Sequence, residues 1–107
     1  MRVGLISDTH DRLPAIVRLL GEFQQRGVEM VLHAGDYCAP FALQPFQDYA
    51  APMVGVYGRT DGDREGLKAM AAHALACELF EAPHSMQLGE HKILLVHDLA
   101  DVSERSI

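Results

Sequence analysis

Apolar and polar positions alternate in two rhythms along this chain, one suited to strands and one to helices. Val3, Leu5 and Ile6 form a short apolar run within Arg2 to Ser7, the length and composition of a buried strand. A polar loop follows from Asp8 to Arg12. Leu13, Ile16, Val17, Leu20 and Phe23 then fall on one face of a helix predicted over Leu13 to Arg26. Pro14 suits its first turn, and Gly27 suits the left-handed position just past its end. Met30, Val31 and Leu32 mark a second strand, Glu29 to His33. A short helix is predicted around Phe41 to Tyr49, then a third strand, Met53 to Tyr57. Asp63 is placed to cap a helix from Arg64 to Ala76, which Gly66 weakens. The last third changes character: His84 to Leu88 and Lys92 to His97, joined across Gly89-Glu90, read as a β-hairpin.

Strands and helices alternating at these lengths imply right-handed crossovers and a parallel sheet, so the fold class is α/β. In such sheets ligands gather at the carboxyl ends of the strands. That rule directs attention to the loops that follow each strand.

Composition narrows the field without naming a chemistry. The 107 residues fit one domain, 1–107, with a modest core. No apolar run approaches the ~18 residues of a membrane span. The opening MRVGLISD already reads as a strand with an acid behind it, not as a secretory leader, so the expected location is the cytoplasm. A net charge of −6, with no cluster of Lys and Arg, argues against a nucleic-acid backbone as partner. Cys38 and Cys77 share no metal-type spacing and read as reduced thiols.

The expected strand ends carry Asp8 and His10, then Asp36, then Arg59-Thr60-Asp61, then His97-Asp98. Carboxylates and imidazoles on one rim make a mixed oxygen and nitrogen ligand set. Such a set suits Mn²⁺, Fe or Zn²⁺ better than Ca²⁺ or Mg²⁺. A shared carboxylate can also bridge two metals ~3.5–4 Å apart, the arrangement used to hydrolyse phosphate esters. Each residue has a plainer reading: an Asp after a strand often caps a helix or forms a turn. His33, inside an apolar strand, reads as a hydrogen-bonded core residue. His73, His84 and His91 read as surface or packing residues; Cys38, just after Asp36, could approach the site but reads better as a small buried hydrophobe.

Asp8-Thr9-His10, Gly35-Asp36, Gly58-Arg59-Thr60-Asp61 and His97 resemble, in order and spacing, the blocks of the calcineurin-like metallophosphoesterases. The likeness runs from residue 1 to about 98 and is greatest to their small microbial phosphodiesterase branch. It implies a sandwich of mixed β-sheets flanked by helices, here without its C-terminal part. It implies further that Asp8 and His10 bind one metal, that Asp36 bridges to a second, and that His97 helps hold the second. Asp61 falls where the family has an acid that orients the first-block histidine. Manganese is the expected cofactor, with Fe, Zn or Ni as alternatives, at one or two per chain. The implied chemistry is attack of a metal-activated hydroxide on the phosphorus of a phosphodiester or small phosphomonoester.

Two departures stand out. Arg59 occupies the position of a metal-ligating Asn, and a guanidinium cannot coordinate a cation, although it can grip a phosphate bidentately. The family's terminal Gly-His-x-His block has no counterpart up to Ile107, and Asp98 stands where the family usually has Gly. An uncovered sheet edge favours association, so a homo-oligomer is expected. These departures keep a second function open: a catalytically silent scaffold on the same fold that binds protein partners. A nucleotide-binding module ranks below both, because the first strand–helix turn lacks a Gly-rich phosphate loop.

Overall fold

In a computed structural model the described residues are 1–10, 12–38, 40–47, 49, 51–72 and 77–102. Four short strands, β1 (Val3–Ile6), β2 (Met30–His33), β3 (Met53–Val56) and β4 (Cys77–Phe80), form a parallel sheet in the order β1-β2-β3-β4. Its register sets Val3 opposite Met30, Val31 opposite Met53, and Met53 opposite Cys77. Helices α1 (Leu13–Gln25), α2 (Gln44–Gln47) and α3 (Arg64–Ala72) connect these strands, with a 3₁₀ turn over Pro40–Leu43. Strands β5 (His84–Leu88) and β6 (His91–Leu95) pair antiparallel as a separate hairpin, and a 3₁₀ turn over Leu99–Asp101 follows.

Side chains alternate across the parallel sheet, as the two-residue period of a strand requires. On one face Ile6, Val31 and Met53 pack with Ile16 and Leu20 of α1 and Leu67 and Ala71 of α3. On the other face Leu32 and Val56 meet Leu95 of the hairpin, with Met86, Leu88 and Ile93 around them. The result is helices on one side and a hairpin on the other. β1 is an edge strand, and its Leu5 is 69% exposed.

The helix boundaries have local causes. Pro14 sits in the first turn of α1, and Gly27, at φ +68°, follows its end. Asp63 accepts the Gly66 N–H at 3.0 Å and caps α3 as expected. Three elements differ from the sequence expectation. The segment after Pro40 splits into a 3₁₀ turn and one α-helical turn. β6 ends at Leu95, so His97 lies in the loop beyond it rather than on the strand. β4 is a fourth parallel strand that periodicity missed, because the preceding alanines continue a helical pattern. The expected end of the third helix over 73–76, including His73, lies outside the described residues.

Tyr37 is fully buried and stacks on His33 with ring centroids 4.0 Å apart. Among the described residues its hydroxyl has no hydrogen-bond partner. Burying a hydroxyl unpaired costs free energy that phenylalanine would not incur. Tyr37→Phe is therefore expected to hold or raise stability, by up to about 1 kcal/mol, in urea denaturation. A loss of that size would count against an unpaired hydroxyl.

Candidate metal centre

The loops after β1, β2 and β3 are tied to one another before any side chain is considered. The Asp8 N–H donates to the Gly35 carbonyl at 2.9 Å, and the His10 N–H to the Asp36 carbonyl at 3.0 Å. A Cβ built on Gly35, at φ +103°, would lie 2.7 Å from the Gly58 nitrogen. One on Gly58 would lie 2.5 Å from the Asp36 backbone nitrogen. Neither contact leaves room for a side chain, so the two glycines let the β2 and β3 loops touch backbone to backbone. Asp8, His10, Asp36 and Cys38 all take positive φ, between 52° and 74°. Left-handed non-glycine residues are uncommon, and their concentration here marks a locally strained site.

One carboxylate organises much of this backbone. Asp61, 2% exposed, accepts the Tyr37 and Cys38 N–H groups on Oδ1, at 2.7 and 2.8 Å. On Oδ2 it accepts the Asp36 and Gly58 N–H groups, at 2.9 and 2.7 Å. Asp61, expected to orient His10, serves four backbone donors with its carboxylate. His10 Nδ1 instead lies 2.9 Å from the sulfur of Cys38. Cys38 is accordingly half-buried and in polar contact, not the buried hydrophobe expected.

On that frame Asp8, His10 and Asp36 converge, with one ligand atom from each within 4.8 Å of the others. Asp8 is exposed, His10 half-buried and Asp36 buried, so the group opens to solvent on the Asp8 side. Asp8 accepts the Ser7 hydroxyl proton at 2.7 Å. Burial pushes the Asp36 carboxyl up, but the hydrogen bond from Thr60 and the neighbouring Asp8 and His97 groups outweigh it, so the net shift is downward. His97 stands outside the three-residue group, and its Nε2 lies 3.4 Å from Asp36 Oδ2. Its Nδ1 is 2.8 Å from the Ala34 carbonyl, which can only accept, so Nδ1 carries a hydrogen, and in the neutral ring the lone pair is on Nε2. Two carboxylates and an imidazole within one small radius fit a divalent cation, which would relieve the mutual repulsion of Asp8 and Asp36.

Arg59 forms an ion pair with Asp98, so the two residues that depart from the family pattern pair with each other. The Ala100 N–H and then Arg59 hold the Asp98 carboxyl below its usual range. The pair borders a cavity of about 340 Å³ that Arg64, Glu81 and His97 also line, directly beside the centre.

His33 is fully buried next to the centre without joining it. The Gly35 N–H donates to Nδ1 at 3.0 Å, so Nε2 carries the hydrogen and reaches Thr9 Oγ1 at 2.9 Å. Burial pushes its pKa down to about 3; Asp36 opposes this and His97 adds to it. The unfolded chain, with an ordinary imidazole near 6.5, therefore takes up a proton first as pH falls. Stability from this residue is complete above about pH 6.5 and declines from there toward pH 3. Between pH 7 and 5 the decline amounts to about 2 kcal/mol. His33→Asn should flatten the pH dependence of the urea midpoint across that window. An unchanged slope would show that other groups set the acid sensitivity.

The parallel sheet thus carries carboxylates and an imidazole at the carboxyl ends of its strands, a candidate metal site on an α/β domain. The chain belongs to the calcineurin-like phosphoesterase superfamily, whose domain matches residues 1–106. A phosphodiesterase of Methanocaldococcus jannaschii is 31% identical over 97 residues, covering 91% of this chain and 58% of that protein. The solved structure of an archaeal phosphodiesterase superposes with a TM-score of 0.83 at 29% identity, over 94% of this chain and 62% of the other. A phosphoesterase from E. coli shares the fold, with a TM-score of 0.70 at 21% identity, over 92% of this chain and 58% of its own. The chain thus spans about three fifths of the relatives it matches. Among the described residues no helix is long and apolar enough to cross a membrane.

Proposed function

We propose that this chain carries the hydrolytic centre of a metal-dependent phosphodiesterase, acting on phosphodiesters or small phosphomonoesters. The observation that supports this most is the convergence of Asp8, His10 and Asp36 within 4.8 Å at the ends of two adjacent strands. These three side chains would hold one divalent cation, with Mn²⁺ favoured by the mixed donor set. Asp36, which also faces His97, is the carboxylate placed to serve a second. When bound, the cation supplies a water of lowered pKa and neutralises charge developing on the phosphoryl oxygens.

The chain's own residues do the remaining work. Asp61 fixes the backbone on which Asp36 sits, and the Ala34 carbonyl presents His97 through Nε2. Arg59 offers a fork of N–H donors that matches two phosphate oxygens, at the rim of the neighbouring cavity. Its partner Asp98 is exchangeable, since an exposed ion pair contributes little.

The competing reading is a catalytically silent scaffold, which the Arg59–Asp98 pair favours because it occupies the guanidinium proposed to meet the phosphate. Hydrolysis of bis-p-nitrophenyl phosphate with added Mn²⁺ separates the two. Activity that rises with Mn²⁺ and disappears with chelator supports the enzyme. Background rates with Mn²⁺, Fe²⁺, Zn²⁺ and Ni²⁺ alike would favour the scaffold.

A further inference from the structure

Cys38 stands outside the group of converging ligands, yet its sulfur touches one of them, 2.9 Å from His10 Nδ1. A neutral imidazole carries one N–H and one lone pair, and only the lone pair can take a metal. Which nitrogen of His10 is available is therefore decided by what the other one bonds. The thiol has a single hydrogen, and Thr60 Oγ1, 3.3 Å away, is an acceptor for it. With that hydrogen on Thr60 the sulfur offers His10 only its lone pairs. Nδ1 is then the donor, and Nε2 is left free.

We propose that Cys38 is the positioning residue of His10, holding Nδ1–H on its sulfur so that Nε2 faces the metal. This rests on the metal-centre reading above and adds a residue to it. Two further contacts support it. Asp61 Oδ1 accepts the Cys38 N–H at 2.8 Å, where Cys38 takes φ +74°, so the backbone that carries the sulfur is held by the carboxylate that organises the loop. Asp61 thereby acts on His10 through Cys38 rather than by contact. His97 shows the same device with a different acceptor, its Nδ1 held by the Ala34 carbonyl at 2.8 Å. Both imidazoles of the centre thus have Nδ1 engaged, the arrangement that fixes ring orientation and tautomer in metal sites.

Long-range ¹H–¹⁵N correlation spectra of the metal-free protein read the tautomer directly, with His10 assigned from His10→Gln. The wild type and Cys38→Ser, whose hydroxyl can still accept, are expected to show His10 protonated on Nδ1. Cys38→Ala is expected to shift His10 toward the Nε2–H form and to bind Mn²⁺ about tenfold more weakly by calorimetry. A wild-type His10 protonated on Nε2 overturns the proposal. So does a Cys38→Ala protein with unchanged tautomer and Mn²⁺ affinity. The expected spectra and affinities, found in a protein that hydrolyses no phosphodiester, would uphold the role of Cys38 while overturning the enzymatic reading.

Discussion

Asp61→Ala is expected to lower stability by roughly 3–5 kcal/mol, because four backbone N–H groups lose their acceptor together. Each buried N–H left unpaired costs about 1–3 kcal/mol, and water reaching the half-buried Cys38 end recovers part of the total. Against the roughly 5–15 kcal/mol that holds a domain folded, that is a large fraction. Asparagine is expected to rescue little. It keeps one acceptor oxygen but turns an amide N–H₂ toward two of the N–H donors. Urea denaturation of Asp61→Ala and Asp61→Asn, monitored by far-UV circular dichroism, gives the numbers. A loss under about 1 kcal/mol for either would show that these donors find other acceptors readily.

Asp36→Asn is expected to do the reverse, sparing the fold and removing the chemistry. Asp36 Oδ1 accepts the Thr60 N–H at 3.0 Å, a bond that the asparagine carbonyl can keep. Lost are one negative charge and one ligand oxygen, at the residue shared between the Asp8–His10 side and His97. Removal of that carboxylate from a working centre is expected to lower bis-p-nitrophenyl phosphate hydrolysis by at least ~10³, or about 4 kcal/mol of transition-state stabilisation. Stability should change by less than about 1 kcal/mol. Hydrolysis indifferent to the substitution would mean that the activity arises elsewhere. The contrast between Asp61 and Asp36 separates two acids that stand in the same pair of loops.

Periodicity was enough to place β1, α1, β2 and β3, because each element buries one face and its residues say which. Leu13, Ile16 and Leu20 announce α1, and the alternation of Val31 and Leu32 between two cores follows from the strand period. β4 was hidden because an edge strand of four residues carrying Glu78 has little alternation to display. Asp8, His10 and Asp36 were legible as candidate ligands from their positions after strands, and the fold brings them together. Their fixation was not, since it depends on backbone geometry that residue types do not encode. Nothing in the order of letters directs the Asp61 carboxylate to four N–H groups, or the Cys38 sulfur to His10. Those contacts exist because residues 8, 10, 36 and 38 adopt left-handed conformations that bend the loops across one another.

The backbone contact between Gly35 and Gly58 has a consequence for how such motifs are read in other chains. At both positions the amino-acid alphabet shrinks to a single letter for steric reasons alone. A descendant that had lost every metal ligand would remain confined to glycine there as long as its loops stayed together. Those two glycines are therefore markers of lineage and architecture, silent about turnover. Whether such a descendant still works would be read instead from Asp8, His10 and Asp36, the residues proposed to hold a cation.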